Sequence, residues 1–102
     1  MGAYRCQGES ATGKAYEVDL SIQSVGGRIY ELRWTDGGQL VSIGGGVIIG
    51  DTLSAAFLLR DAFGHVAYRR AADGALDGRW FGIGEWVENR ERCRRADLVP
   101  AE

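Results

Sequence analysis

The chain carries one histidine, His65, and the carboxylates placed to work with it are Asp51 and Asp61. A histidine held by a carboxylate can serve as a general base, so a small hydrolase is the catalytic reading these residues allow. Their surroundings argue against it. His65 directly follows Gly64, where a hairpin turn is expected, and none of Ser10, Ser21, Ser24, Ser42 and Ser54 has the context of a nucleophile elbow. One histidine and two distant cysteines do not make a metal-ligand spacing, so no metal is expected. The glycines from Gly44 to Gly50 invite a phosphate-loop reading that fails, because Asp51 stands where the lysine before the hydroxyl residue Thr52 is needed. The dinucleotide fingerprint fails as well, since its third glycine falls at Ile49. Paired carboxylates such as Asp73/Asp77 and Glu85/Glu88 read as solvated surface charge. The residues therefore point to no catalytic set and no cofactor.

Two groups of residues suit binding instead. Tyr16, Tyr30, Trp34, Phe57, Tyr68 and Trp80 fall on inward positions of alternating runs. Among them Tyr30, Trp34, Tyr68 and Trp80 are the candidate lining of a small apolar ligand pocket, with a filled aromatic core as the competing reading. Arg90, Arg92 and Arg94 share one strand face with Trp86 and form a candidate interaction surface. The interleaved Glu85, Glu88 and Glu91, and the net charge of -2, favour a salt-bridged face over a nucleic-acid site.

These residues must be positioned by strands. Tyr30, Leu32 and Trp34 alternate with polar residues, as do Val18, Leu20 and Ile22, and Leu76 and Trp80 repeat the pattern further on. Glycine pairs and Asp-Gly steps punctuate the runs and mark hairpins. The expected strands are 3–8, 15–25, 28–35, 38–49, 52–60, 65–71, 75–82 and 84–93. A helix over 52–60 is the alternative at one position, because its residues are good helix formers after an aspartate-threonine start. The triple glycine Gly44 to Gly46 either bulges its strand or leaves room for an aromatic ring.

A meander of short strands leaves exposed edges unless it closes. The expected fold is all-β: one domain spanning 1–102, an antiparallel meander of six to eight strands forming a small barrel or a half-barrel that dimerises. Closure would bring the first and last strands together and make Cys6 and Cys93 neighbours able to form a disulfide; otherwise they remain free thiols.

Composition bounds the rest. The chain has 102 residues, 45% hydrophobic and 25% charged, with sixteen glycines against one proline. That is ordinary for a globular domain apart from the glycine excess, which suits many tight turns. No segment approaches the roughly 20 apolar residues of a membrane-spanning helix, and no membrane insertion is expected. The opening residues Met1 to Arg5 read as the start of a strand and not as a signal peptide. A cytoplasmic chain and a mature exported domain both fit.

In order, the chain shows Tyr4, Gly8, Gly13, Tyr16, Tyr30-x-Leu32-x-Trp34, a glycine-rich strand, and Gly64-x-Val66-x-Tyr68. Asp73-Gly74-x-Leu76-x-Gly78-x-Trp80 and Gly82-x-Gly84-Glu85 then follow. Over about residues 4–86 this resembles a family of small, mostly exported bacterial domains labelled fibronectin-binding proteins. The chain departs from that pattern near Glu17, where a glycine is usual, and over Asn89 to Glu102. The resemblance implies a periplasmic or secreted, non-enzymatic domain that binds a protein partner, and it brings no catalytic residues. The expectation is a binding or interaction domain, with a carrier of a small apolar ligand as the alternative and a hydrolase as the remote one. Its expected partners are a protein or a second copy in a homodimer, with no nucleic acid.

Overall fold

The computed structural model describes residues 2–96; Met1 and residues 97–102 of the expected 1–102 domain lie outside the described residues. Eight antiparallel strands follow one another in chain order. They are β1 (Gly2–Glu9), β2 (Ala15–Gly26), β3 (Ile29–Asp36), β4 (Gln39–Ile49), β5 (Thr52–Leu59), β6 (Ala62–Arg70), β7 (Leu76–Gly82) and β8 (Asn89–Arg95). Each pairs with the next, and β8 returns to pair with β1, so the sheet closes into a barrel. Closure removes every free edge, which is the physical answer to the exposed edges of an open meander. The half-barrel form is thereby set aside.

Alternation builds the inside. On β2, Leu20 and Ile22 are buried while Glu17 and Gln23 face outward. Tight turns such as Gly37-Gly38, with φ of 59° and 86°, reverse the chain in a region closed to most side chains. One half of the barrel is packed solid by Tyr4, Leu20, Ile22, Leu32, Leu53 and Leu76. Truncating any one of these leucines to alanine removes contacts worth about 2–5 kcal/mol.

Cys6 stands opposite Cys93 in the β1–β8 register, and the two form a disulfide across 87 residues of sequence. In the chain-entropy model a loop of that length contributes roughly 4–5 kcal/mol. The bond also locks the one strand pair that local hairpin turns cannot hold, because β1 and β8 lie at opposite ends of the chain.

Residues 52–59 form strand β5 and not the alternative helix. The triple glycine produces no bulge of its own. The register shift between β3 and β4 falls earlier, pairing Trp34 with Ser42 and Thr35 with Leu40 and leaving Val41 over. The glycines instead admit close approach: a Cβ on Gly44 would lie 2.3 Å from the Ala56 carbonyl and 3.2 Å from the Trp34 ring. Two expectations near the chemistry-bearing residues are corrected. Strand β6 starts at Ala62, so His65 is mid-strand, facing outward, and not at a turn. Strand β8 starts only at Asn89, which leaves Trp86 in the preceding loop with a positive φ of 54°.

Candidate ligand pocket at the barrel mouth

The half of the barrel away from the solid core opens beside the β1–β2, β3–β4 and β5–β6 turns and the β7–β8 loop. Asn89 ties this rim together. Its side-chain oxygen accepts from the Ala11 amide at 2.8 Å, and its Nδ2 donates to the Trp80 and Val87 carbonyls at 3.3 and 3.2 Å. Below the rim lies a cavity of about 120 Å³, bordered by Trp34, Phe57, Trp80, Tyr16, Tyr68 and Glu91, with Val41 and Leu59 toward its outer side. An eight-stranded barrel is wide enough to be filled by side chains or to hold one small ligand. This one is filled by side chains in one half and keeps a cavity in the other.

Glycines create the room that the rings occupy. Gly8 faces Tyr16, Gly64 faces Phe57 and Gly78 faces Tyr68 in direct cross-strand register. The rings meet edge to face around the cavity. Trp34 and Phe57, then Phe57 and Trp80, have centroids 5.9 Å apart, and Tyr16 and Trp80 are 6.4 Å apart. Such contacts add about 0.5–1.5 kcal/mol each beyond buried area and fix the ring orientations.

One carboxylate organises the polar atoms of this aromatic half. Tyr16 Oη donates to Glu91 Oε1 at 2.8 Å, and Tyr68 Oη donates to Glu91 Oε2. Trp80 Nε1 donates to Tyr16 Oη at 2.8 Å, and Trp34 Nε1 donates to Tyr68 Oη at 3.0 Å. Two Trp→Tyr→Glu relays thus converge from opposite sides, and Glu91 is only 5% exposed. Burial, reinforced by the negative charge of Glu91, pushes the hydroxyls of Tyr16 and Tyr68 well above their ordinary value near 10. Both stay protonated and donating across the physiological range. Glu91 also lies beside the disulfide, with Cys93 Sγ 3.5 Å from Oε2. Cys6, Glu91 and Cys93 converge closely enough to hold a metal ion, but their sulfurs are bonded to each other and are not thiolate ligands.

Of the four residues expected to line a pocket, Trp34, Tyr68 and Trp80 come together here and Tyr30 does not. Tyr30 precedes Trp34 by four residues on β3, about 13 Å along a strand, and packs against the solid core. Sequence reasoning missed Glu91, which it placed among surface charges. The signal was available, since outward Arg90, Arg92 and Arg94 force Asn89, Glu91 and Cys93 inward.

The arginine face is as expected on β8, but Trp86 does not join it; it packs on Phe81 with centroids 5.8 Å apart. Arg92 pairs with Asp73 at 3.1 Å, and the open depression beside Arg90 and Arg92 is also bordered by Glu9, Glu17, Asp77 and Glu88. Signs are mixed across it. His65 Nε2 hydrogen-bonds Ser54 Oγ at 2.9 Å on the outer wall. Asp51 and Asp61 lie in the turns at opposite ends of β5, roughly 25 Å apart for a strand of that length. The set needed for the hydrolase reading is therefore not assembled.

No family model matches this chain, and no curated protein matches it. Among solved structures it is similar to one described as a redesigned beta barrel, with a TM-score of 0.78 over 92% of this chain and 89% of that one, at 8% identity. At that identity the likeness concerns the fold alone: the chain is an antiparallel β-barrel.

Proposed function

We propose that this barrel is a non-enzymatic binding domain that takes one small organic molecule with an apolar body in the aromatic mouth. The observation carrying this reading is the cavity of about 120 Å³ left among Trp34, Phe57, Trp80 and the Tyr–Glu relays, above a core that is otherwise solid. Concave, mostly apolar sites with a few convergent polar groups are the usual form of small-molecule sites. An apolar engineered cavity of about 150 Å³ holds benzene, so a single ring is the right scale. Calorimetric titration with neutral, cationic and anionic single-ring fragments tests it. Saturable binding by at least one class, lost in Ser42→Phe, where the new ring fills the mouth, is expected. Absence of saturable binding by all three would remove the reading.

A second reading rests on the outer wall. Ile43, Leu58 and Phe63 are directly paired across β4, β5 and β6 and point outward, with Leu58 and Phe63 59% and 56% exposed. A row of this kind supports self-association through the sheet face, in keeping with an interaction role. Sedimentation equilibrium should then show a dimer that Leu58→Asp dissociates, and a wild-type monomer at all concentrations would rule it out.

A further inference from the structure

We infer that the mouth pocket selects a small organic ammonium ion: a protonated amine carried on a single-ring or comparably compact apolar body. This rests on the ligand-binding reading above and names its ligand class. The first argument is an inventory of hydrogens. The polar side-chain atoms bordering the cavity belong to Tyr16, Trp34, Ser42, Tyr68, Trp80 and Glu91. Each tryptophan has one N–H, each tyrosine and the serine one O–H, and an ionised carboxylate none. Every one of those hydrogens is already committed. Trp34 and Trp80 donate to Tyr68 and Tyr16, both tyrosines donate to Glu91, and Ser42 Oγ donates to the Leu58 carbonyl at 2.7 Å. What the side chains retain is acceptor capacity only: the remaining lone pairs of two tyrosine oxygens, the serine oxygen and the carboxylate. A ligand that brings donors is matched. A ligand that brings acceptors, such as a carboxylate or phosphate, meets no side-chain donor.

The second argument is charge. Among the described residues no lysine, arginine or histidine borders the cavity, and the buried polar or charged ones are Asn89 and Glu91. Among the described residues Glu91 thus has no cationic partner in the aromatic half, and its burial leaves its field weakly screened by solvent. Aromatic rings line the same space, and their π-faces attract a cation within about 6 Å. Carboxylate, acceptor-only walls and aromatic rings all favour the same ligand charge, and none favours an anion. Cavity volume then limits the body to about one ring.

Three probes of nearly equal shape separate the terms in the wild-type protein: benzylammonium, benzyl alcohol and benzoate, titrated calorimetrically at pH 7. Benzylammonium should bind at least about tenfold more tightly than benzyl alcohol, and benzoate more weakly than the alcohol. Glu91→Gln, which exchanges a carboxylate oxygen for an N–H donor, should erase the preference for the amine while leaving benzyl alcohol bound. Equal or tighter binding of the alcohol or of benzoate overturns the ammonium assignment and leaves the ligand-binding reading standing. Failure of all three overturns both. The wild-type comparison decides the matter even if Glu91→Gln does not fold.

Discussion

Tyr68 on β6 and Gly78 on β7 stand directly opposite each other, and the tyrosine ring occupies the space that a side chain at position 78 would need. A Cβ there would come within 2.8 Å of ring atoms Cδ1 and Cε1. The missing side chain is what allows Tyr68 to lie across the barrel, reach Glu91 and receive the Trp34 indole. Gly8 does the same for Tyr16, where a Cβ would fall 2.1 Å from Cζ. The relays therefore depend on two inward glycines as much as on their own polar atoms.

Gly78→Ala should destabilise the barrel by about 1–3 kcal/mol, the usual cost of overpacking a filled interior. Gly45→Ala is the control. Its Cβ would point away from the interior, with the Tyr30 carbonyl 3.7 Å away as its nearest neighbour, and its effect should stay within about 0.5 kcal/mol. Denaturant unfolding of the two variants checks the contrast, and equal effects would show that Tyr68 is not held by the space at Gly78.

Stability should fall at alkaline pH. Tyr16 and Tyr68 have folded-state values raised above their ordinary value near 10, chiefly by burial and then by Glu91. Above that value the unfolded chain has lost those protons while the folded barrel still holds them. Their contribution is thus fully present below about pH 10 and declines as pH rises beyond it. Urea midpoints measured from pH 8 to 11.5 should be level at first and then drop. In Tyr68→Phe the drop should be shallower. That variant should also lose about 1–3 kcal/mol at pH 7, because the Trp34 indole and one Glu91 oxygen lose their partner.

Removing the disulfide should cost about 2–5 kcal/mol, because Cys6–Cys93 bridges the pair of strands farthest apart in sequence. The double variant Cys6→Ser/Cys93→Ser should unfold at lower denaturant than the oxidised wild type, and reductant should move only the wild type. An unchanged midpoint would show that the β1–β8 ladder and the core close the barrel unaided.

Much of the fold was legible because one face of nearly every strand is buried, and a period of two makes that face visible in Val18/Leu20/Ile22 or Leu32/Trp34. Closure followed from the exposed edges that an open meander would leave, and closure in turn placed Cys6 beside Cys93. The errors have separate physical origins, the first being that polar residues were assigned by type and not by parity. Glu91 was read with its exposed neighbours although Cys93 shares its face. The β8 boundary was set too early because Trp86 and Val87 look strand-like, whereas Gly84 and the positive φ of Trp86 make that segment a loop. Tyr30 shares a face with Trp34, but the period of two says nothing of height along the barrel, and height decides which ring borders the cavity.

The most direct measurement is the ¹H–¹⁵N spectrum of the three indole N–H groups during titration with benzylammonium. Trp34 and Trp80 line the mouth, whereas Trp86 sits outside on the β7–β8 loop, 68% exposed. A ligand in the mouth should shift the first two resonances along one saturable curve and leave that of Trp86 in place. Movement of Trp86 alone, or of none of the three, would contradict a binding site inside the barrel.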